Sequence, residues 1–201
     1  MDVVGILLAA GRGRRFDPTG ARNKLLAPLA GGEPVALASA RTMLAVLPRV
    51  VAVVPSADGS LAAALRAIGC EVTAVIGNGA AGGDTERGMA ASLVHAVRHS
   101  LPAGEAWIIA LADMPYVQRA TIAALRDALD AGAAIAAPVQ GGRRGNPVAF
   151  GLTHLAALLA LEGDQGARAI LQQHAVTEIA VRDPGIFQDI DTPSDLPQRR
   201  D

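Results

Sequence analysis

The stretch that decides the fold is VVGILLAAGRGRRF at residues 3–16, where a continuous apolar run passes directly into glycines and arginines. The run at 3–9 has the length and unbroken hydrophobicity of a strand that is covered on both faces, as in a parallel sheet. Gly11 and Gly13 then allow a sharp turn that brings backbone N–H groups close to an anion. The stretch therefore predicts a buried parallel strand followed by a loop that suits phosphate groups.

Short apolar runs alternate with longer segments of helical period along the rest of the chain. The runs of strand length are VVAVV at 50–54, VTAVI at 72–76, WIIAL at 107–111, IAAPV at 135–139 and VAF at 148–150. Apolar residues recur three and four positions apart at 34–47, 59–68, 85–99 and 118–131. This alternation is typical of βαβ units with right-handed crossovers. We expect a three-layer α/β fold with a mostly parallel sheet, in a single domain over residues 1–201.

The composition restricts both the core and the partners of the chain. With 51% hydrophobic but only 2% aromatic residues, the core has to be built from Ala, Val, Leu and Ile. A formal net charge of -1 supplies no overall field for nucleic acid or a membrane surface, so neither partner is expected. Cys70 stands alone and cannot form an internal disulfide, which together with the absence of any membrane-length apolar run favours a cytoplasmic location with Cys70 in the core.

Polar or glycine-rich segments follow the predicted strands, where ligands bind in open α/β sheets. These segments are 11–24, 84–92, 113–115 and 145–147. In the first of them, Arg15 and Lys24 can supply the positive charge that a triphosphate needs. A dinucleotide-binding motif is excluded because its third glycine is missing, and a P-loop because no Gly-Lys-Ser/Thr follows. A basic surface loop without a ligand is the alternative interpretation.

The sequence LLAAGRGRRF at 7–16, followed by Lys24, resembles the signature of nucleotidyltransferases with a Rossmann-like fold. It is most similar to the molybdenum cofactor cytidylyltransferases and their guanylyltransferase relatives. Further matches occur in the family's order: GMAASL at 88–93, ADMP at 112–115, GNPVAF at 145–150, GDQGAR at 163–168 and DIDTPSD at 189–195. The resemblance implies a Mg²⁺-dependent enzyme that moves a nucleoside monophosphate from a nucleoside triphosphate to a phosphorylated small-molecule acceptor and releases pyrophosphate.

The resemblance also implies a set of functional residues. Those that would bind the nucleotide are Ala9, Ala10, Gly11, Arg12, Gly13, Arg15, Lys24, Gly88, Ser92 and Asp113. Arg15, Lys24 and Asp113 would be catalytic, and Asp113 and Asp191 would hold the Mg²⁺ ion, with Asp189 as a competitor for the second place. By residue type alone, Asp113 could equally cap the following helix or start a turn, and DTPSD at 191–195 is also a good turn and helix-start sequence.

The matched segment at 88–93 also allows a purely structural interpretation. Gly88 and Ser92 could lie by the nucleotide, while Met89 and Leu93 form the buried stripe of a helix that Asp84 or Thr85 caps.

Gly145, Asn146 and Pro147 occupy the position that faces the acceptor in the family, but the same residues also make an ordinary turn. Arg143 and Arg144 beside them could meet an anionic acceptor or lie in solvent.

The substrate can be narrowed only through the resemblance. The Ala9-Ala10-Gly11 form of the loop favours CTP over GTP, and the acceptor would be the molybdenum-bound pterin phosphate, with a molybdoenzyme as a further partner. One departure from the family is the insert at 16–23, which lengthens the path to Lys24. Rivals with the same fold are the sugar-1-phosphate nucleotidyltransferases and the methylerythritol phosphate cytidylyltransferases. A rival of another class is a chaperone that binds nucleotide or cofactor without catalysis.

Overall fold

The computed structural model describes residues 1–11, 13–75, 88–101, 104–163 and 166–196. Its strands are β1 (Val3–Leu8), β2 (Arg49–Val54), β3 (Glu71–Ala74), β4 (Ala106–Leu111), β5 (Ile135–Gln140), β6 (Arg143–Arg144), β7 (Val148–Gly151) and β8 (Thr177–Ala180). Its helices are α1 (Val35–Leu44), α2 (Ser60–Ala67), α3 (Met89–Ser100), α4 (Arg119–Asp130), α5 (Leu155–Leu159) and α6 (Arg168–Gln173). Among these residues, no helix combines the length and hydrophobicity needed to span a bilayer.

The described strands form one mixed sheet with β1 near its centre. The order is β3-β2-β1-β4-β7-β5-β6, and β8 pairs with β5. Ile6 of β1 is in register with Val51 of β2 on one side and Ile109 of β4 on the other, both in parallel. Because β5 and β4 are each antiparallel to β7, they run in the same direction. The expected α/β fold with a mostly parallel sheet is confirmed.

Helices cover both faces of this sheet and make the expected three layers. One face packs against α1, α2 and α4 through an aliphatic cluster that includes Leu7, Met43 and Leu125. The other face packs against α3, α5 and α6 and contains the bulky side chains of Trp107 and Phe150. Successive residues of a strand point to opposite faces, so the unbroken apolar runs supply both clusters at once.

The structure corrects several element assignments. The strand β7 is antiparallel, and two strands, β6 and β8, lie where the sequence predicted none. The helix predicted at 85–99 is described only from its N-cap at Gly88, so the caps predicted at Asp84 and Thr85 lie outside the described residues. The helix predicted at 34–47 ends at Leu44.

Cys70 follows α2 and is buried in the core, as predicted. Burial raises the pKa of its thiol to about 11, so the thiol stays protonated at neutral pH. The side chain behaves as a small apolar group in the packing between α2 and β3.

A buried carboxylate anchors the segment that follows β8. Asp183 is only 1% exposed, and it accepts hydrogen bonds from the backbone N–H of Gln118 at 2.8 Å and of Gly185 at 3.0 Å. The hydroxyl of Thr121 donates to the same carboxylate at 2.6 Å. Since Gln118 is the N-cap of α4, Asp183 ties the C-terminal segment to the start of that helix. This anchor fixes the path of the chain toward Asp191.

Replacing Asp183 by alanine is expected to lower the free energy of unfolding by about 2–4 kcal/mol, because its buried donors lose a charged acceptor. Urea denaturation at neutral pH measures the change. Asp127→Ala is the matched control, since its carboxylate is 64% exposed and pairs with the adjacent Arg126. Its expected effect stays within about 0.5 kcal/mol. A loss at Asp183 no larger than at Asp127 would contradict the anchoring role.

Candidate active site

A cavity of about 500 Å³ opens at the carboxyl ends of β1 and β4. Its wall combines the turn after β1, the start of α3, the end of β4 and the C-terminal segment. The lining residues are Leu8, Ala10, Gly11, Gly13, Arg14, Arg15, Lys24, Leu25, Gly88, Met89, Ser92, Leu111, Asp113, Asp189 and Asp191. The edge of the sheet that the sequence favoured for a ligand is therefore the edge that carries the cavity.

Two cations and two carboxylates meet inside this cavity. The Nζ atom of Lys24 lies 2.6 Å from Oδ2 of Asp113 and 3.1 Å from Oδ1 of Asp191. Arg15 contributes Nη1 at 2.5 Å from the other oxygen of Asp191. The Lys24 side chain is 9% exposed, whereas that of Arg15 is 78% exposed. Lys24 is thus the enclosed centre of the cluster, and Arg15 its exposed flank.

The two carboxylates decide the protonation of Lys24. Burial alone would lower the pKa of Lys24, but the hydrogen bond and charge of Asp113, followed by those of Asp191, more than offset it. The net result is a pKa above the ordinary value for lysine. Lys24 is therefore a permanent cation at physiological pH.

The insert at 16–23 forms a closed turn around Asp17. The carboxylate of Asp17 accepts hydrogen bonds from the hydroxyl of Thr19 at 2.7 Å and from the N–H of Arg22 at 2.7 Å. The Thr19 hydroxyl, followed by the backbone N–H groups of Arg22 and Thr19, lowers the pKa of Asp17. Phe16 is buried in the same core cluster as Leu25. Both ends of the insert are thus held, one by apolar packing and the other by hydrogen bonds.

The next residues present Lys24 to the cavity. Asn23 accepts a hydrogen bond from the N–H of Leu25 at 3.0 Å, and so caps the short 3₁₀ helix Lys24–Leu26. Gly13 adopts a φ of 59° directly beside Lys24, where an added Cβ would lie 3.4 Å from the lysine Cγ. A positive φ is strained for any residue with a side chain, so glycine suits this position.

Asp113 lies in a turn after β4, as one alternative predicted, but neither it nor Asp191 caps a helix. The helix α4 begins after Gln118 without a side-chain cap from Asp113, and its buried carboxylate partner is Asp183. In the DTPSD segment the expected helix start is confirmed, since a short 3₁₀ helix begins at Pro193, but its capping box is made by Thr192 and Asp195. The carboxylate of Asp195 also accepts the N–H of Asp191 at 3.1 Å, which orients that residue from behind. The side chains of Asp113 and Asp191 therefore remain available in the cavity.

The chemistry of Asp113 and Asp191 fits a divalent cation. Oδ1 of Asp113 is buried and receives no hydrogen bond from the described part of the chain. Carboxylate oxygens are the ligands that Mg²⁺ and Mn²⁺ prefer. Within the described ranges, no group of three or more His, Cys, Asp or Glu side chains is placed to hold a metal. An ion held by these two aspartates would therefore complete its ligands with water or phosphate oxygens.

The start of α3 supplies another wall. Gly88 is the N-cap without a side-chain hydrogen bond, and Ser92 is buried, with its hydroxyl donating to the Gly88 carbonyl at 3.4 Å. The prediction that Met89 lies in the buried stripe is wrong: it is 45% exposed and lines the cavity, while Leu93 and Ala96 are buried as expected. The N-terminus of this helix adds a partial positive charge to the site.

Some predicted site residues lie away from the main cavity. Ala9 is buried and donates its N–H to the Val53 carbonyl at 2.9 Å. It therefore extends the pairing of β1 with β2 and does not line the cavity. Arg12 lies outside the described residues. Asn146 and Pro147 line a separate cavity of about 10 Å³ on the α1 and α4 side of the sheet.

The remaining residues of the predicted acceptor segment have structural contacts. Gly145 packs so closely on Ile186 that an added Cβ would lie 2.6 Å from the carbonyl oxygen of Ile186. Arg144 pairs with Glu178 at 2.8 Å, and the guanidinium of Arg143 lies 4.6 Å from the centre of the Phe187 ring. The structure therefore brings most of the nucleotide candidates and both metal candidates together, but not the acceptor candidates.

Comparison with known proteins identifies the family. The chain matches the model of the MobA-like NTP transferase domain over residues 5–178. The chain belongs to this family. A comparison with curated proteins finds no match.

Several solved structures share the fold of this chain. The protein Rv0371c from Mycobacterium tuberculosis is 27% identical with a TM-score of 0.77, over 97% of this chain and 96% of that one. The manganese complex of Rv0371c is 26% identical with a TM-score of 0.74, over the same shares. Molybdopterin-guanine dinucleotide biosynthesis protein A from Archaeoglobus fulgidus is 19% identical with a TM-score of 0.65, over 96% of this chain and 94% of that one.

Sequence reasoning overlooked several residues of this MobA-like site. Arg14, Leu8 and Leu111 line the cavity, although only their neighbours were singled out. Asp183, which lies outside the cavity but holds the segment that leads to Asp191, was missed altogether. Its position directly before Pro184-Gly185 is a turn signal that could have drawn attention to it.

The two glycines of the MobA-like loop should respond differently to alanine. Gly13→Ala is expected to lower the free energy of unfolding by about 1–2 kcal/mol, because of its positive φ. At Gly11 an added Cβ meets no described atom within 4 Å, and its φ is not positive. Gly11→Ala is therefore expected to cost less than about 0.5 kcal/mol. Urea denaturation of both variants measures the difference, and equal losses would contradict this account of Gly13.

Proposed function

We propose that this chain is a Mg²⁺-dependent nucleotidyltransferase that transfers the nucleoside monophosphate of CTP to a phosphorylated small-molecule acceptor and releases pyrophosphate. The observation that carries the proposal is the cluster of Lys24, Arg15, Asp113 and Asp191 in one cavity at the end of the parallel strands. Membership of a family of NTP transferases gives the reaction class. We propose that residues 1–201 act in this reaction as a single domain.

The triphosphate would lie against the loop that follows β1. Arg15 and Lys24 offer positive charge there, and an open backbone at Ala10, Gly11 and Gly13 offers N–H groups with little steric hindrance. Charge-assisted hydrogen bonds from such donors are stronger than neutral ones. Gly88 and Ser92, at the start of α3, would bound the nucleotide on the opposite side.

Asp113 and Asp191 would hold the Mg²⁺ ion. The buried and unpaired Oδ1 of Asp113 supports this assignment, because it is an anionic oxygen that the described chain leaves without a donor. The bound ion would neutralise phosphate charge and fix the orientation of the phosphate oxygens. Asp189 also faces the cavity but is exposed, which makes Asp191 the better second ligand.

The chemistry then needs no nucleophile from the protein. An oxygen of the acceptor's phosphate forms a bond to the α-phosphorus, and the bond from that phosphorus to the bridging oxygen breaks. Pyrophosphate leaves in line and carries away the electron pair of that bond. Arg15 and Lys24 stabilise the charge on the leaving group, and the loop backbone keeps the triphosphate in position.

The identity of the base and of the acceptor rests on the resemblance. The Ala9-Ala10-Gly11 form of the loop favours CTP, and the pterin phosphate of the molybdenum cofactor is the acceptor we propose, with a cytoplasmic molybdoenzyme as recipient. GTP is the second candidate, because the archaeal structural neighbour is named for guanine dinucleotide biosynthesis. Gly145, Asn146 and Pro147 precede β7 at the same edge of the sheet without lining the cavity, and we propose that they contact the part of the acceptor that extends beyond it.

A panel of CTP, GTP, ATP and UTP with Mg²⁺ or Mn²⁺ and phosphorylated acceptors, scored by pyrophosphate release, tests the function. We expect release to depend on both metal and acceptor and to be fastest with CTP. A preference for GTP would replace cytidylyl by guanylyl transfer. Nucleotide binding without release from any member of the panel would favour the chaperone alternative.

Asp113→Ala is expected to reduce pyrophosphate release by about a thousandfold, because a metal ion supplies several kcal/mol of charge stabilisation. Asp189→Ala removes a neighbouring carboxylate of the same cavity that we do not assign to the metal, and its expected loss is below about tenfold. Steady-state rates of both variants at saturating metal make the comparison. Near-wild-type release by Asp113→Ala would exclude Asp113 as the metal ligand.

A further inference from the structure

We propose that Lys24 is an exchangeable counter-ion of the carboxylates of Asp113 and Asp191. In the nucleotide-free protein its ammonium group competes with a divalent metal for these two carboxylates, and a triphosphate draws it away. Metal and nucleotide are therefore bound cooperatively. The inference rests on the proposed function and adds to it an account of how the site is loaded.

The geometry of the ammonium group is the first argument. Nζ of Lys24 lies 2.6 Å from one oxygen of Asp113 and 3.1 Å from one oxygen of Asp191. A divalent ion held by both carboxylates would carry its charge within a few ångströms of this ammonium group, and the two like charges would repel each other. Oδ1 of Asp113 is free of Lys24, but it belongs to the same carboxylate, so even an ion bound through that atom would share the negative charge that the ammonium group uses.

Burial makes the exchange costly without a substitute partner. The Lys24 side chain is 9% exposed, and both of its carboxylate partners are less than a quarter exposed, at 21% and 23%. A metal that displaced the ammonium group would leave a buried cation unpaired, which is strongly unfavourable. Metal alone is therefore expected to bind weakly to the resting site.

A triphosphate removes that cost. The side chain of lysine is a flexible four-carbon chain, and the cavity it borders extends over Gly11 and Gly13, where the phosphates would lie. Phosphate oxygens can then pair with the ammonium group while the carboxylates pair with the metal. Because linkage is reciprocal, a nucleotide that improves metal binding by this exchange is itself bound better in the presence of metal.

Arg15 should compete less strongly than Lys24 with a metal ion for Asp191. Its guanidinium contacts Asp191 alone, through the oxygen that Lys24 does not touch. The side chain is 78% exposed, so water screens its charge and can solvate it once displaced. Lys24 is thus the principal barrier to metal, and Arg15 a minor one.

Mn²⁺ binding to the full chain without nucleotide tests the inference. Isothermal titration or the free-Mn²⁺ electron paramagnetic resonance signal would compare the wild type with Lys24→Met. Arg22→Met is the control, because it removes an equal charge from the same loop. Arg22 is 69% exposed and pairs with Asp17 outside the cluster.

We expect Lys24→Met to bind Mn²⁺ at least about tenfold more tightly than the wild type. Arg22→Met should stay within about twofold, and Arg15→Met should lie between the two. Mn²⁺ affinity of Lys24→Met equal to or below that of the wild type overturns the inference. Lys24→Gln, which keeps a donor for the carboxylates, replaces Lys24→Met if thermal denaturation shows that the latter does not fold.

This experiment separates the inference from the proposed function, because it uses metal alone. Tighter Mn²⁺ binding by Lys24→Met supports the exchange even if no triphosphate yields pyrophosphate, in which case only the transferase proposal fails. Unchanged Mn²⁺ binding by a transferase that releases pyrophosphate overturns the exchange and leaves the proposed function intact.

Discussion

The ion pairs of Lys24 with Asp113 and Asp191 join three parts of the chain that are far apart in sequence. Lys24 follows β1, Asp113 follows β4, and Asp191 lies in the segment after β8. Each of these charges would be unfavourable at this depth without the others, because desolvation of a lone ion costs several kcal/mol. The same contacts therefore bring the three segments to one edge of the sheet and create the charge pattern of the cavity.

The sheet creates the setting for these contacts. The strands β1 and β4 run in parallel side by side, so the chain leaves both at the same edge. The third segment is brought there by hydrogen bonds, through Asp183 at the start of α4 and through the N–H of Ile190, which donates to the Asp113 carbonyl at 2.8 Å. Strand pairing places Asp113 and the start of the loop that leads to Lys24, whereas Asp191 depends on a carboxylate buried outside the cavity.

The sequence predicted what local patterns encode. Continuous apolar runs located β1 and β4, and the segments that follow them contained Lys24 and Asp113. Met89 was misassigned because the described helix begins only at Gly88, which leaves its first residue on the cavity instead of the core. The strand β8 was missed because its residues are mostly exposed and lack an apolar run. Asp183 acts through bonds to residues more than sixty positions away, a relation that no local pattern contains.

The turn around Asp17 has a consequence for the thermodynamics of ligand binding. Its hydrogen bonds and the buried ring of Phe16 order the insert within the protein itself. The conformational entropy of this long loop is thus lost during folding and not during the encounter with a ligand. A long connection can in this way hold the backbone of Lys24 as firmly as a short one. The affinity that the lysine provides then does not depend on the number of residues between Gly13 and Lys24.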